Sequence, residues 1–269
     1  MSINTRPPAV AGLFYPESGP VLARDIAQML AAVPEKTALR PKAIIVPHAG
    51  YVYSGPVAAC IYAAIEGLRG TIGRIVLLGP THRATVDGLA LPTCLAFSTP
   101  LGNIPIDQQA ISAIKNLPQI VVNDSAHAQE HALEVQLPFL QSVFGEFSLV
   151  PLAVGRATSE AIAEVLELLW GGEETLIVIS SDLSHYLPYR AAQEIDAQTA
   201  RQIVDLGPDI SHPQACGASP VNGLLLAARR HGLQGKLIDL RNSGDTAGDR
   251  ARVVGYGSFA FFEAEHHVH

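Results

Sequence analysis

The chain has 269 residues, 48% of them hydrophobic and only 16% charged, with a formal net charge of −7. It is too apolar to be disordered and long enough to bury a large core, so we read one domain, 1–269, with its core from about 6 to 262. No basic run offers a footprint for nucleic acid or an anionic membrane, and no segment approaches the ~18 apolar residues of a membrane-spanning helix.

After a Pro-rich entry, PVLARDIAQMLAAV sets Val21, Leu22, Ile26, Met29, Leu30 and Val33 at helical spacing. Ala43 to Val46 is too short and too β-branched for a helix and reads as a strand, ending at Pro47-His48-Ala49-Gly50. Ser54 is expected to cap the next helix, SGPVAACIYAAIEGL, with Pro56 in its first turn. The same order returns with Arg74 to Leu78 followed by GPTHR. It returns again with Thr175 to Ser180, SDLSHY and the helical YRAAQEIDAQTARQIVDL.

Between these units lie a helix opened by Asp107 and the segment EHALEVQLPFLQSVF. The latter puts Leu133, Leu137, Leu140 and Phe144 on one helical face, with Pro138 at a kink or a first turn. FSLVPLAVG is a further buried strand before a helix from near Ser159. Ser219-Pro220 caps VNGLLLAARRH, Gly232 stops it, and KLIDLRN and RVVGYGSFAFF close the chain as strands. The alternation predicts an α/β domain with a mostly parallel or mixed central sheet and helices on both faces.

In such sheets, ligands gather beyond the carboxyl ends of the strands, where His48, His82 and His185 all fall. A lone histidine there is more often a hydrogen-bonded structural residue, but three in equivalent places point to one site. Two imidazoles and a carboxylate form the set that leaves open positions on Fe(II). His48 and His82 supply the imidazoles, and Asp245 in NSGDTAGD or Asp182 the carboxylate. Asp182, three residues before His185, is also placed to orient that ring for proton transfer, unless it merely caps a turn.

Glu130 and Glu134 fall on one face if their segment is helical and are read as groups that support metal ligands from behind or contact substrate, and His131 as a substrate contact. Charge near a helix N-terminus is the plainer reading of the glutamates. Tyr51 and Tyr53 line the pocket or pack as core.

The three cysteines sit at unrelated spacings and make neither a disulfide framework nor a CxxC zinc site. Cys216, just before a helix, is an activated thiolate or, more simply, small and inert; Cys60 on a helix and Cys94 in a strand read as structural. The opening MSINTRPPAVAGLFYP lacks the apolar stretch of a signal peptide, so a cytoplasmic protein is expected. The terminal HHVH is left out of the site as a tail able to bind metal adventitiously. Dinucleotide-binding, P-loop, serine-elbow and HExxH signals are absent from the sequence.

Taken in order, RPPAVAGLFYP, IIVPHAGYVYSGPVAA, LLGPTHR, EHALEVQLPFLQ, SSDLSHY and SGDT resemble the Memo family, called AmmeMemoRadiSam system protein B in prokaryotes. The resemblance implies a fold similar to the LigB-type class III extradiol dioxygenases, which use non-haem Fe(II). It implies His48 and His82 as metal ligands and His185 as the acid/base group. Animal Memo proteins carry a cysteine in the late loop; here Asp245 is the natural replacement, with Thr246 and Asp249 as neighbouring choices. Fe(II) is then the expected metal, with Zn or Cu as alternatives.

The expected activity is an oxidoreductase of dioxygenase-like architecture, His131, Glu134 and Tyr51 contacting a small-molecule substrate. The alternatives are a metal-assisted hydrolase, or a non-catalytic signalling module that binds an anionic peptide in the same crevice. The prokaryotic family name implies AMMECR-type and radical SAM proteins as pathway partners.

Overall fold

The computed structural model describes residues 4–34 and 37–263, so the HHVH tail lies outside the described residues. Helix α1 (Gly19–Ala31) buries Leu22, Ile26 and Leu30, the stripe its spacing foretold. β2 (Ala43–Val46) follows, and it is buried at every position. Helix α2 (Tyr51–Ala64) starts three residues before the expected cap. Gly50 takes the cap position instead, and the Ser54 hydroxyl donates to the Ala49 carbonyl from within the first turn.

β3 (Arg74–Pro80) is followed by β4 (Leu89–Leu91), β5 (Ala96–Thr99) and β6 (Gly102–Pro105). The strands β5 and β6, with β1 (Thr5–Arg6), make a small three-stranded sheet that pattern reading did not find. Cys94 lies buried just ahead of β5 rather than in a strand. Asp107 caps α3 (Gln108–Ile114) by accepting from the Ala110 amide, as expected.

After β7 (Ile120–Val122) and α4 (Asp124–Ala128), the expected single helix is broken into two parts. A 3₁₀ turn at Glu134–Gln136 leads into α5 (Leu137–Phe144), with Pro138 in the first turn, where its missing N–H costs nothing. β8 (Ser148–Val154), α6 (Ser159–Leu169), β9 (Thr175–Ser180), β10 (His185–Leu187), α7 (Tyr189–Val204) and α8 (Ala218–Arg230) continue the alternation. β11 (Leu233–Asn242), α9 (Ser243–Thr246) and β12 (Val253–Glu263) complete it.

The main sheet runs β10-β12-β2-β9-β3-β8-β4-β7, with β11 paired to β12. β2, β9, β3 and β8 are parallel, whereas β12 pairs with β2, and β4 with β8, in antiparallel fashion. Alternate side chains of the central strands enter two cores. Ile44, Val46, Ile75, Leu77, Leu176 and Val178 pack toward α1, α2 and α5. Ala43, Ile45, Val76, Leu78, Ile177 and Ile179 pack toward α6, α7 and α8. Burial on both faces is why these strands read as unbroken apolar runs. Among the described residues, no helix is long and apolar enough to cross a membrane.

Candidate metal centre

Register sets the stage. Val46 of β2 lies level with Ser180 of β9, and Leu78 of β3 with Ile179, so three neighbouring parallel strands end together. His48 follows β2 and His82 follows β3, while Ser181, Asp182 and His185 follow β9, which lies between those two strands. His131 joins them from the loop between α4 and the 3₁₀ turn.

The ligating atoms of His48, His82 and His131 all lie within 4.8 Å of one another. The His48 ring meets His82 and His131 edge-on, at 5.2 and 5.3 Å between centroids, while His82 and His131 stack at 4.5 Å. Gly79 permits this crowding. A Cβ there would meet Leu133, Ala132 and Ser180 atoms at 3.1–3.3 Å, holding β3 off its neighbours.

Each ring is steered from outside. Glu130 accepts from the His82 backbone amide at 2.6 Å and from the Ala132 amide at 2.9 Å, and its carboxylate is 2.8 Å from His82 Nδ1 and 3.3 Å from His131 Nδ1. Burial opposes its charge, but the hydrogen bonds and charge of His82 and the amide bonds outweigh that and hold the carboxyl at about 2. It is therefore an anion and an obligate acceptor.

His48 is 1% exposed; its Nδ1 is 3.0 Å from Ser180 Oγ and its amide donates to Asp182 Oδ1 at 2.7 Å. Burial, then the neighbouring His82, depresses His48 to about 3, and burial with His48 and His82 nearby depresses His131 to about 4. Both are neutral imidazoles near pH 7, the state a metal requires.

The N-terminal segment supports this arrangement. Arg6 donates to the carbonyls of His127 and Glu130, at 2.9 and 2.8 Å, and pairs with the buried Glu134. Glu134 also accepts from the amides of Ala9 and Val10 and from the Tyr15 hydroxyl. Its carboxylate is consumed by this anchor and is not a substrate contact, which corrects the expectation from sequence. Because the chain there is a loop and a 3₁₀ turn, Glu130 and Glu134 serve different partners instead of sharing a helical face. Tyr51 is likewise structural, being 6% exposed with its hydroxyl on the Val135 carbonyl at 2.8 Å.

The late loop does not supply the third ligand of this cluster. Asp245 closes a capping box on α9, accepting from the Asn242 amide at 3.0 Å and from the Tyr189 hydroxyl. Thr246 donates to Ser243, and Asp249 accepts from Ala251. Among the described residues, none of the three belongs to the converging set, and His131 does.

Asp182 is buried, and that burial raises its carboxyl. Its oxygen serves the His48 amide rather than the His185 ring, so it acts on His185 through charge alone. His185 itself lies on β10, opposite Val254, beside a bulge at Tyr186 whose φ of 59° is left-handed. Burial and the charge of Asp182 push the Cys216 thiol up to about 12, which removes the activated-thiolate reading; its Sγ lies 3.3 Å from His48 Nε2. Sequence reasoning did not single out Arg6, Ser180 or Gln136, whose signals reside only in the contacts they make.

The fold and the site define an α/β protein in which three histidines converge at a spacing suited to a metal ion. Residues 6–260 match the family described as Memo-like protein, and the chain belongs to that family. A MEMO1 family protein of Ignicoccus hospitalis is 39% identical, covering 95% of this chain and 98% of its own. One from Aquifex aeolicus is 36% identical over 96% of this chain and 100% of its own. Among solved structures, an uncharacterized protein of Escherichia coli K12 shares the fold, with a TM-score of 0.51 at 12% identity, covering 82% of this chain and 98% of its own.

Proposed function

We propose that this protein is a metal-dependent oxidoreductase of dioxygenase-like architecture, in which His48, His82 and His131 hold a divalent transition metal, Fe(II) foremost. The convergence of three imidazoles within 4.8 Å, with His48 and His131 held neutral by burial, carries this reading. Imidazole suits Fe, Zn and Cu, and three protein ligands leave positions for substrate. When bound, Fe(II) would supply a Lewis acid able to exchange electrons with O₂.

The chain's own groups do the rest. Glu130 orients His82 and offsets the charge of the site, and Asp182 fixes the His48 backbone while adding a buried carboxyl. His185, whose charge acts on both His48 and Asp182, is the group that moves a proton to or from a small-molecule substrate.

Anaerobic reconstitution of untagged protein with Fe(II), followed by ligand-field spectroscopy, tests the assignment. Stoichiometric binding is expected in the wild type and its loss in His48→Ala, His82→Ala and His131→Ala. Full binding by all three variants would sink the proposal.

A second reading, a metal-assisted hydrolase, draws on the absence of a carboxylate from the converging set, since three histidines with an open position also suit catalytic zinc. Zinc in protein purified without added metal, with activity indifferent to O₂, would favour it.

A further inference from the structure

Ser180 Oγ is the hub of three contacts in the core behind the cluster. It lies 2.6 Å from the Ala132 carbonyl, 2.8 Å from Gln136 Nε2 and 3.0 Å from His48 Nδ1. A hydroxyl has one hydrogen to donate and two lone pairs to accept with. The Ala132 carbonyl can only accept, and two oxygens that close require a hydrogen between them, so the Ser180 proton goes there.

The orientation of the Gln136 amide is fixed in the same way. Its nitrogen lies 2.9 Å from the Pro47 carbonyl, again a pure acceptor, and its oxygen accepts from the Tyr62 hydroxyl at 2.8 Å. Nε2 therefore donates to Ser180, taking one lone pair. Facing His48, Ser180 has only an acceptor left.

We propose that Gln136 and Ser180 are positioning residues that lock His48 in the tautomer protonated at Nδ1, keeping Nε2 bare as its ligating atom. The chain of donors runs from Tyr62 on α2 through Gln136 and Ser180, and every member is at most 1% exposed. So buried a relay is shielded from bulk solvent. The bond from Ser180 to Ala132, next to His131, also ties two of the three imidazoles to one hydroxyl.

The purpose of this lock rests on the metal-centre reading, but its test does not. In metal-free protein labelled with ¹⁵N-histidine, long-range ¹H–¹⁵N correlation reads the tautomer of His48, assigned by comparison with His48→Gln. A single Nδ1–H form near neutral pH is expected, and an Nε2–H form would overturn the proposal without any further variant. Ser180→Ala should give mixed tautomers and weaken Zn(II) binding, used here as a probe, by about 10–100-fold. If that variant keeps both the tautomer and the affinity, Ser180 is not the lock. A locked Nδ1–H tautomer in a protein that takes up no metal would leave this inference standing and remove the function proposed above.

Discussion

Glu130 joins more of the site than any other side chain, holding the backbone and ring of His82 while touching His131 and the Ala132 amide. Glu130→Gln keeps the shape but loses the charge and part of the acceptor capacity. Outer-shell partners of this kind orient a ligand and raise its basicity. We expect metal affinity to fall about 10–100-fold in titration calorimetry, with the folded circular dichroism spectrum retained. An unchanged affinity would show that His82 needs no such support. At this scale the sequence made His48 and His82 legible, because each follows an apolar run. His131 was read as a substrate contact because its loop carries no strand-end signature.

Among the elements, the N-terminal segment and the turn before α5 depend on each other most strongly. Arg6 and Glu134 are 6% and 0% exposed, and Arg6 also grips the carbonyls of His127 and Glu130. Removing one partner strands the other charge in the core, a loss of about 3–5 kcal/mol. Arg6→Ala should therefore lower the unfolding free energy measured by urea titration by that amount and also weaken metal binding, since the loop bearing Glu130 and His131 loses its anchor. Stability lost without any change in metal affinity would separate the anchor from the site.

The motif RPPAVAGLFYP was visible in the sequence, yet its purpose was not. A bond between residues 6 and 134 spans 128 positions, and no local pattern records it. Similarly, EHALEVQLPFLQ carries a helical apolar spacing, with Pro138 at a kink or a first turn, and the first turn is what forms. The requirement that Glu130 and Glu134 reach different partners breaks the segment into a loop, a 3₁₀ turn and a helix.

Across the whole molecule, burial makes the histidine content a source of acid sensitivity. His48 is depressed to about 3, and His127 and His131 to about 4, each chiefly by burial. The unfolded chain takes protons on these groups near pH 6.5 while the folded one resists, so the unfolded state binds more protons in this window. Their contribution is present above the unfolded pKa and is lost as the pH falls from about 6.5 toward 4 and below.

The sole tryptophan, Trp170, stacks on His231 at 3.7 Å just past the end of α6, before β9 begins and thus toward the sheet edge opposite the cluster. Its fluorescence should report a thermal midpoint that falls steadily between pH 7 and 4. A midpoint independent of pH over that range would mean that the buried imidazoles do not govern acid stability.

The sequence by itself determined the α/β alternation, the central strands and the placing of three histidines at strand ends. These follow from local periodicity and from the rule that parallel strands buried on both faces are apolar throughout. Only the tertiary structure decided that His131 completes the cluster, that Asp245 caps a helix, and that Glu134 anchors the N-terminus. Such assignments depend on which side chains meet across more than a hundred residues of chain. Burial and hydrogen bonding in that meeting place then decide which groups stay charged and which stay neutral.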